Sequence, residues 1–413
     1  MKTEIVKQGR AAFVYGVKAG IGGLGHSVAS AVTALCGRGA AVTALGPGHC
    51  DPWSLPGGLP DAEWQQAPPY SPGWKSRYTW LRWRRGKLAF QRDEALGQWA
   101  ADQVRRLRPN ACYALTQVGL ESFRWARQEQ VFSVADNPNG HIRNFQQVCE
   151  RESRRWCGTR FHGHPTSAMV DRVEEEYALA DYTRVYSKWG KRSMISFGVP
   201  AERIHICGQT VNLDRFHPPS GKDRSGARLR LCFVGSLDLR KGFAYLLRAI
   251  RPLAAHVELE IVGATGDRDC AQLFARERKG LPVQCAPGDP LPAYHRSDLF
   301  VLPSLEDGLP FVLPEAMACG LPVIVTDQCG AGECVVPDGN GWVVPAADTE
   351  ALTAALEKAI QRRADLPEMG RQARLAIEQY CGPSQLDELA NWFYREGRQP
   401  PNERTAYCPG ANR

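Results

Sequence analysis

No stretch of the 413 residues approaches the roughly 20 consecutive apolar residues that cross a bilayer, so the chain does not read as membrane-spanning. The opening "MKTEIVKQGRAAFVYG" has no apolar core followed by a small-residue cleavage site. It does not read as a secretory leader, and the expected location is the cytoplasm. Fourteen cysteines include no C-x-x-C pair, and many sit in apolar runs such as "LRLCFVGSL". They read as small hydrophobes, not as a disulfide framework. Cys149, Cys157, His162 and His164 lie close in sequence, but their spacing fits no standard zinc pattern, so no metal is expected. No internal repeat is present. What remains is a globular composition, 43% hydrophobic and 23% charged, long enough for two or three domains.

The net charge of +7 is unevenly spread. "GWKSRYTWLRWRRGKLAFQR" (73–92) interleaves three tryptophans with six lysines and arginines before its terminal Arg92. Such a segment suits a solvated face anchored by its tryptophans. It also suits, as the second reading, peripheral contact with an anionic inner membrane face or a phosphate-bearing acceptor. No nucleic-acid partner is expected.

"GIGGLG" places Gly20, Gly22 and Gly25 on a G-x-G-x-x-G pattern. Two features of a dinucleotide site are missing. Four residues, Gly16 to Ala19, separate the strand "AAFVYG" from Gly20 after its own last glycine is counted, and no acid stands at the tip of the next strand, "AAVTALG". A glycine loop at a helix N-terminus survives, open to close approach by an anionic ligand.

The chain then alternates strands and helices. "RPNACYALTQ", "VFSVAD" and "YTRVYS" read as strands, and "MVDRVEEEYALADY" as an amphipathic helix. Residues 212–230 have linker composition, after which the rhythm restarts at "LRLCFVGS". Two such halves predict an α/β chain of two doubly wound parallel domains facing a central cleft. The expected boundaries are 1–212 and 213–382, a helix at 383–396 packing back toward the first domain, and a disordered tail at 397–413.

The most informative stretch is "FVLPSLEDGLPFVLPEAMACGLPVIVTD" (300–327). A strand ends at Pro303, a short acidic loop follows, and a helix beginning near Pro310 carries Glu315 in its first turns and ends at Gly320. Helix N-terminal amides and the positive dipole end would therefore lie at the carboxyl edge of the sheet. Asp307 and Glu315, separated by seven residues, and the helix "EAMACG" resemble the donor-site motif of glycosyltransferase family 4, retaining enzymes of the GT-B fold. "VGSLDLRKGF" matches that family's phosphate-binding turn at Lys241, but Ser236 stands after Gly235 where the family has arginine.

That resemblance implies a retaining, metal-independent hexosyltransferase that needs no cofactor besides its UDP- or GDP-linked donor. Glu315 would hold the ribose hydroxyls, Asp307 or the neighbouring Glu306 the donor sugar, and Arg240 with Lys241 the diphosphate. Gly22, Gly23, Gly235 and Ser236, and the backbone of Gly308, Leu309, Pro310, Phe311 and Val312, would line the donor. His141, in "VADNPNGHIRNF", would face it. The acceptor would be a saccharide, a lipid-linked molecule or a small molecule, as in polysaccharide biosynthesis. Two other readings stay open: a GT-B sugar-nucleotide epimerase, and a catalytically silent nucleotide-sugar-binding partner. Asp267-Arg268-Asp269 has the form of a metal-binding acid pair, in a loop where the resemblance predicts no metal.

Overall fold

The computed structural model describes residues 9–17, 22–37, 39–49, 61–70, 85–158, 165–221 and 226–399. These divide into two compact units: Met1–Gln146 with His162–Thr210 and Pro383–Arg413, and Gln147–Phe161 with Val211–Gly382.

The first unit is a seven-stranded parallel sheet. In chain order it comprises β1 (Arg10–Val14), α1 (Gly22–Cys36), β2 (Ala41–Gly46), β3 (Glu63–Gln66), α2 (Arg85–Leu107), β4 (Ala111–Leu115) and α3 (Leu120–Gln128). Then follow β5 (Phe132–Asn137), α4 (Ile142–Cys157), α5 (Ser167–Leu179), β6 (Tyr182–Val185), α6 (Lys188–Ser196) and β7 (Ile204–Ile206). The sheet order is β3-β2-β1-β4-β5-β6-β7, so the order reverses between β1 and β4. Strands β1, β4 and β5 are buried almost throughout, as parallel strands covered on both faces must be.

The second unit repeats the plan with six parallel strands. Its elements are β8 (Leu229–Val234), α7 (Phe243–Ile250), β9 (Val257–Val262), α8 (Arg268–Glu277), β10 (Val283–Ala286), α9 (Leu291–Arg296) and β11 (Leu299–Leu302). They continue with α10 (Val312–Ala318), β12 (Val323–Thr326), β13 (Gly341–Val344), α11 (Thr349–Gln361) and α12 (Leu366–Tyr380). The order β10-β9-β8-β11-β12-β13 reverses between β8 and β11. In open parallel sheets, ligands bind beyond the carboxyl ends of the strands at such a reversal.

The last helix, α13 (Ser384–Gly397), belongs to the first unit. Leu389, Trp392 and Phe393, at i, i+3 and i+4, form its apolar stripe and join the core of the seven-stranded sheet. Phe393 meets Phe132 at 5.2 Å between ring centroids, Trp392 stacks on His205 at 3.9 Å, and the Tyr394 hydroxyl donates to the Leu35 carbonyl.

The division differs from a single cut at 212, because residues 147–161 fall in the second unit. Buried Glu152 explains this: it accepts hydrogen bonds from the Tyr245 hydroxyl (2.6 Å) and the Trp156 indole (3.1 Å). Three other expectations change. Helix α1 begins at Gly22, inside the glycine loop, whereas the periodic stretch starts at His26. Helix α10 begins at Val312, two residues later than Pro310. Helix α2 takes over the segment at 73–92 from Arg85 onward. The tryptophans at 74, 80 and 83, His162, His164 and the tail from 400 lie outside the described residues. No helix among the described residues is long and apolar enough to cross a membrane.

Candidate functional site

The charged residues singled out in the second half of the sequence converge at the β8/β11 reversal of the second unit. Beyond β8 the chain turns at Gly235 and forms a 3-10 turn, Leu239–Lys241, capped by the Asp238 carboxylate on the Lys241 N–H (3.0 Å). Gly242 then takes a left-handed φ of +71°, where a Cβ would collide with the Pro303 carbonyl at the end of β11. Only glycine lets the two strand-end loops approach this closely.

The result is a compact ionic cluster. Arg240 donates to the Glu306 carbonyl at 2.7 Å and to its carboxylate at 3.3 Å, and lies 3.7 Å from Asp307. Lys241 pairs with Asp307, which also accepts from the Ser304 hydroxyl (3.3 Å). Glu306 is fully buried and Asp307 is 4% exposed. Burial opposes ionisation of Asp307, yet Lys241 and Arg240 beside it hold its carboxyl below the ordinary carboxylate range. Burial likewise disfavours the Arg240 charge, and Asp307, Glu306 and Asp238 more than offset it. Ser236, where an arginine was expected, donates to Asp238 at 2.5 Å and carries no charge into the cluster.

Glu315 stands apart, in the first turn of α10. Tyr294 of α9 donates to it at 2.9 Å. Burial pushes the Glu315 carboxyl up to about 7 and Asp289 adds to this, while Tyr294 and Arg215 pull the other way. Tyr294 and Arg215 carry no signal in sequence: no spacing links them to Glu315, and only the fold brings them there. Gly308 and Leu309 are buried, and Phe311 and Val312 half-buried. Pro310 has no backbone N–H, so it cannot serve a ligand as an amide and acts through its fixed φ instead. The acid pair Asp267 and Asp269 has a simpler role, since Asp267 caps α8 by accepting the Cys270 N–H at 2.7 Å. Among the described residues, no group of three or more His, Cys, Asp or Glu is placed to hold a metal ion.

In the first unit His141 is 2% exposed, at the start of α4. Its ring stacks on Phe197 at 4.6 Å and its Nδ1 accepts the Arg143 N–H at 3.2 Å. Burial and the Arg143 charge push its pKa down to about 3. The ring is therefore neutral, with the proton on Nε2, 3.9 Å from Glu174. Gly22 and Gly23, inside the glycine stretch, open α1.

Residues 228–362, which include this ionic cluster, match the family described as Glycosyl transferases group 1. A glycosyltransferase of amylovoran biosynthesis from Erwinia amylovora, AmsK, is 30% identical over 56% of this chain. Over these residues the chain resembles glycosyltransferase family 4. The match spans 62% of AmsK, and about half the length of the other curated relatives compared. The resemblance agrees with the fold. Sucrose-phosphate synthase from Thermosynechococcus elongatus superposes with a TM-score of 0.71 at 18% identity, over 94% of this chain and 98% of that one. HepE from Anabaena, solved in complex with UDP, gives 0.65 at 15% identity, over 94% and 100%. The two doubly wound units are thus a GT-B fold. Against the family's pattern, this chain's departure at Ser236 coincides with a half-buried arginine four residues later.

Proposed function

We propose that this family 4 chain transfers a hexose from a UDP- or GDP-linked donor to a saccharide, lipid-linked or small-molecule acceptor, with retention at the anomeric carbon and without a metal. The observation that carries the reading is the cluster of Arg240, Lys241, Glu306 and Asp307 at the β8/β11 reversal, with Glu315 on the adjoining helix. HepE, of the same fold, was solved with UDP. AmsK belongs to the synthesis of a polysaccharide.

The step to be catalysed is departure of a nucleoside diphosphate from the sugar. Negative charge grows on the leaving oxygen, and fixed cations already in place stabilise it without reorganising at that moment. Lys241 and Arg240 are those cations in this reading, and they take the part a divalent metal plays elsewhere. Asp307, held ionised, orients sugar hydroxyls. Glu315 accepts from the two ribose hydroxyls in its carboxylate form. The acceptor hydroxyl attacks the face from which the diphosphate leaves, so the configuration is kept. No pair of free carboxylates, as in a retaining glycosidase, is required. Neutral His141 offers Nε2–H as a donor, so any part it plays toward the sugar is a hydrogen bond and not a proton transfer. Synthesis on the cytoplasmic side fits this donor chemistry.

The test is a screen of UDP- and GDP-sugars with saccharide acceptors, read by product NMR. A new α-glycoside from an α-linked donor supports the reading. Donor binding without turnover would favour a silent partner, for which Ser236 in place of arginine is the relevant feature. An isomerised donor with no glycoside would favour an epimerase.

A further inference from the structure

The first unit holds a recess at its own sheet reversal, beyond the carboxyl ends of β1 and β4, lined by Asp93, Gln117, Leu24, Ile142 and Phe145 among others. Gln117 has a φ of +87°, a region L-residues with side chains avoid. Two buried residues one helical turn apart on α5 force it there. Glu176 accepts the Gln117 N–H at 2.7 Å, and Arg172 donates to the Gln117 carbonyl at 2.7 Å. Glu176 also accepts from the Gly119 and Leu120 amides (2.9 and 3.0 Å), while Arg172 is locked to Glu121.

Capping the start of α3 explains the bonds to Gly119 and Leu120. It does not explain a glutamine at 117, where glycine would adopt the same backbone without strain. A strained residue persists where its surroundings over-determine it, and such residues gather at binding sites. The Gln117 carboxamide makes no hydrogen bond to any described residue and borders the recess. Across the lining, buried Asp93 receives both Arg92 bonds on Oδ1 alone (2.9 and 2.7 Å). Its Oδ2 remains as an acceptor. Leu24, Ile142 and Phe145 supply an apolar wall.

We propose that this recess binds a neutral pyranoside, with Gln117 as the residue that reads one of its hydroxyls and Glu176 and Arg172 as the residues that position it. The inference rests on the reading of the chain as a glycosyltransferase and names the chemistry of its acceptor. A carboxamide donates to and accepts from ring hydroxyls, Asp93 accepts from another, and the apolar wall covers the C–H face of the ring. Arg92 and Asp93, both in the lining, form an ion pair, so the pair brings no net charge to the recess, which suits an uncharged ring better than an anion.

The experiment uses the full chain, with methyl α-glucoside, methyl α-mannoside and methyl α-galactoside as probes, glucose 1-phosphate as the anionic arm, and affinities measured by ligand-observed NMR. UDP and GDP binding is measured beside them. Gln117→Ala keeps the strained backbone and removes the carboxamide, and should weaken the best methyl glycoside about three- to tenfold, the worth of one neutral hydrogen bond. Gln117→Gly should weaken it equally with no loss of Tm, an outcome a purely structural glutamine would not give. Glycoside affinity that is absent from the wild type, indifferent to both variants, or exceeded by that for glucose 1-phosphate overturns the inference. Failure to bind either nucleotide overturns the reading beneath it instead.

Discussion

Glu315 makes a prediction whose size follows from its surroundings. Its carboxyl lies near 7 in the free protein because burial outweighs the Tyr294 hydroxyl bond and the Arg215 charge. If the ribose diol binds only the carboxylate, the donor must drive off a proton wherever the acid form is populated. The apparent Kd then rises by about tenfold between pH 8 and pH 6, and binding at pH 7 releases about half a proton per site. Calorimetry of the donor sugar selected by the screen, in two buffers of different ionisation enthalpy, reads both quantities. A nucleotide sugar is the right probe, since its diphosphate diester does not titrate in this range. Glu315→Gln should weaken binding about 10- to 100-fold, as expected for a charge-assisted contact, and should abolish the slope. Tyr294→Phe removes the bond that favours ionisation, so it should move the slope to higher pH. A wild-type Kd that is flat from pH 6 to pH 8 would refute the reasoning, even if Glu315→Gln binds poorly.

Lys241→Ala should lower kcat by about 2–4 kcal/mol in barrier terms, the cost of losing one preorganised stabiliser, measured as initial transfer rate at saturating donor. Arg240→Ala should lower Tm as well, by about 3–5 kcal/mol of stability, because Glu306 is left buried without its cation; Ser236→Arg in that background should return kcat but not Tm. A chelator should leave transfer intact, and loss of activity with rescue by manganese would refute the metal-free reading. Glu176, raised by burial to about 7, binds its proton more tightly folded than unfolded. Stability should therefore fall as pH rises from about 4.5 to about 7, by up to about 3 kcal/mol for this group, and Glu176→Gln should flatten that limb of a Tm–pH profile.

The alternation of strands and helices was legible because parallel strands buried on both faces read as short apolar runs, as in "AAFVYG" and "LRLCFVGS". The acidic loop was legible because Asp307, Glu315 and Lys241-Gly242 lie in two short motifs, and at 242 only glycine fits, since a Cβ there would meet the Pro303 carbonyl. The unread parts are those where the physics is long-range. Tyr294 reaches Glu315 across 21 residues, and Glu176 reaches Gln117 across 59. Neither pair leaves a periodic trace. The start of α2 was missed because "RRGKLAFQR" reads as a continuation of the basic aromatic segment. The boundary at 212 missed residues 147–161 because a buried Glu152 holding Tyr245 cannot be seen from composition.

The absent arginine at 236 gains a physical meaning from the ion pairs. In the protein without donor, Lys241 is spent on Asp307. A diphosphate that draws the ammonium to itself would leave Asp307 buried and uncompensated, which costs several kcal/mol unless another cation stands by. Arg240 is that cation, 3.7 Å from Asp307 and anchored on the Glu306 carbonyl. An arginine at 236 would add charge on the exposed side of the turn, but it would not sit beneath the acidic loop. Arg240 therefore does two jobs in this reading: it contributes to the field at the diphosphate, and it keeps Asp307 ionised once Lys241 has moved. The second job separates Arg240 from a simple substitute for the missing residue. It requires that Arg240→Ala weaken donor binding more at high pH than at low pH, because Asp307 then takes up a proton when Lys241 leaves it, and binding that takes up a proton weakens as pH rises. A loss of affinity that is uniform across pH would leave Arg240 as a diphosphate contact alone.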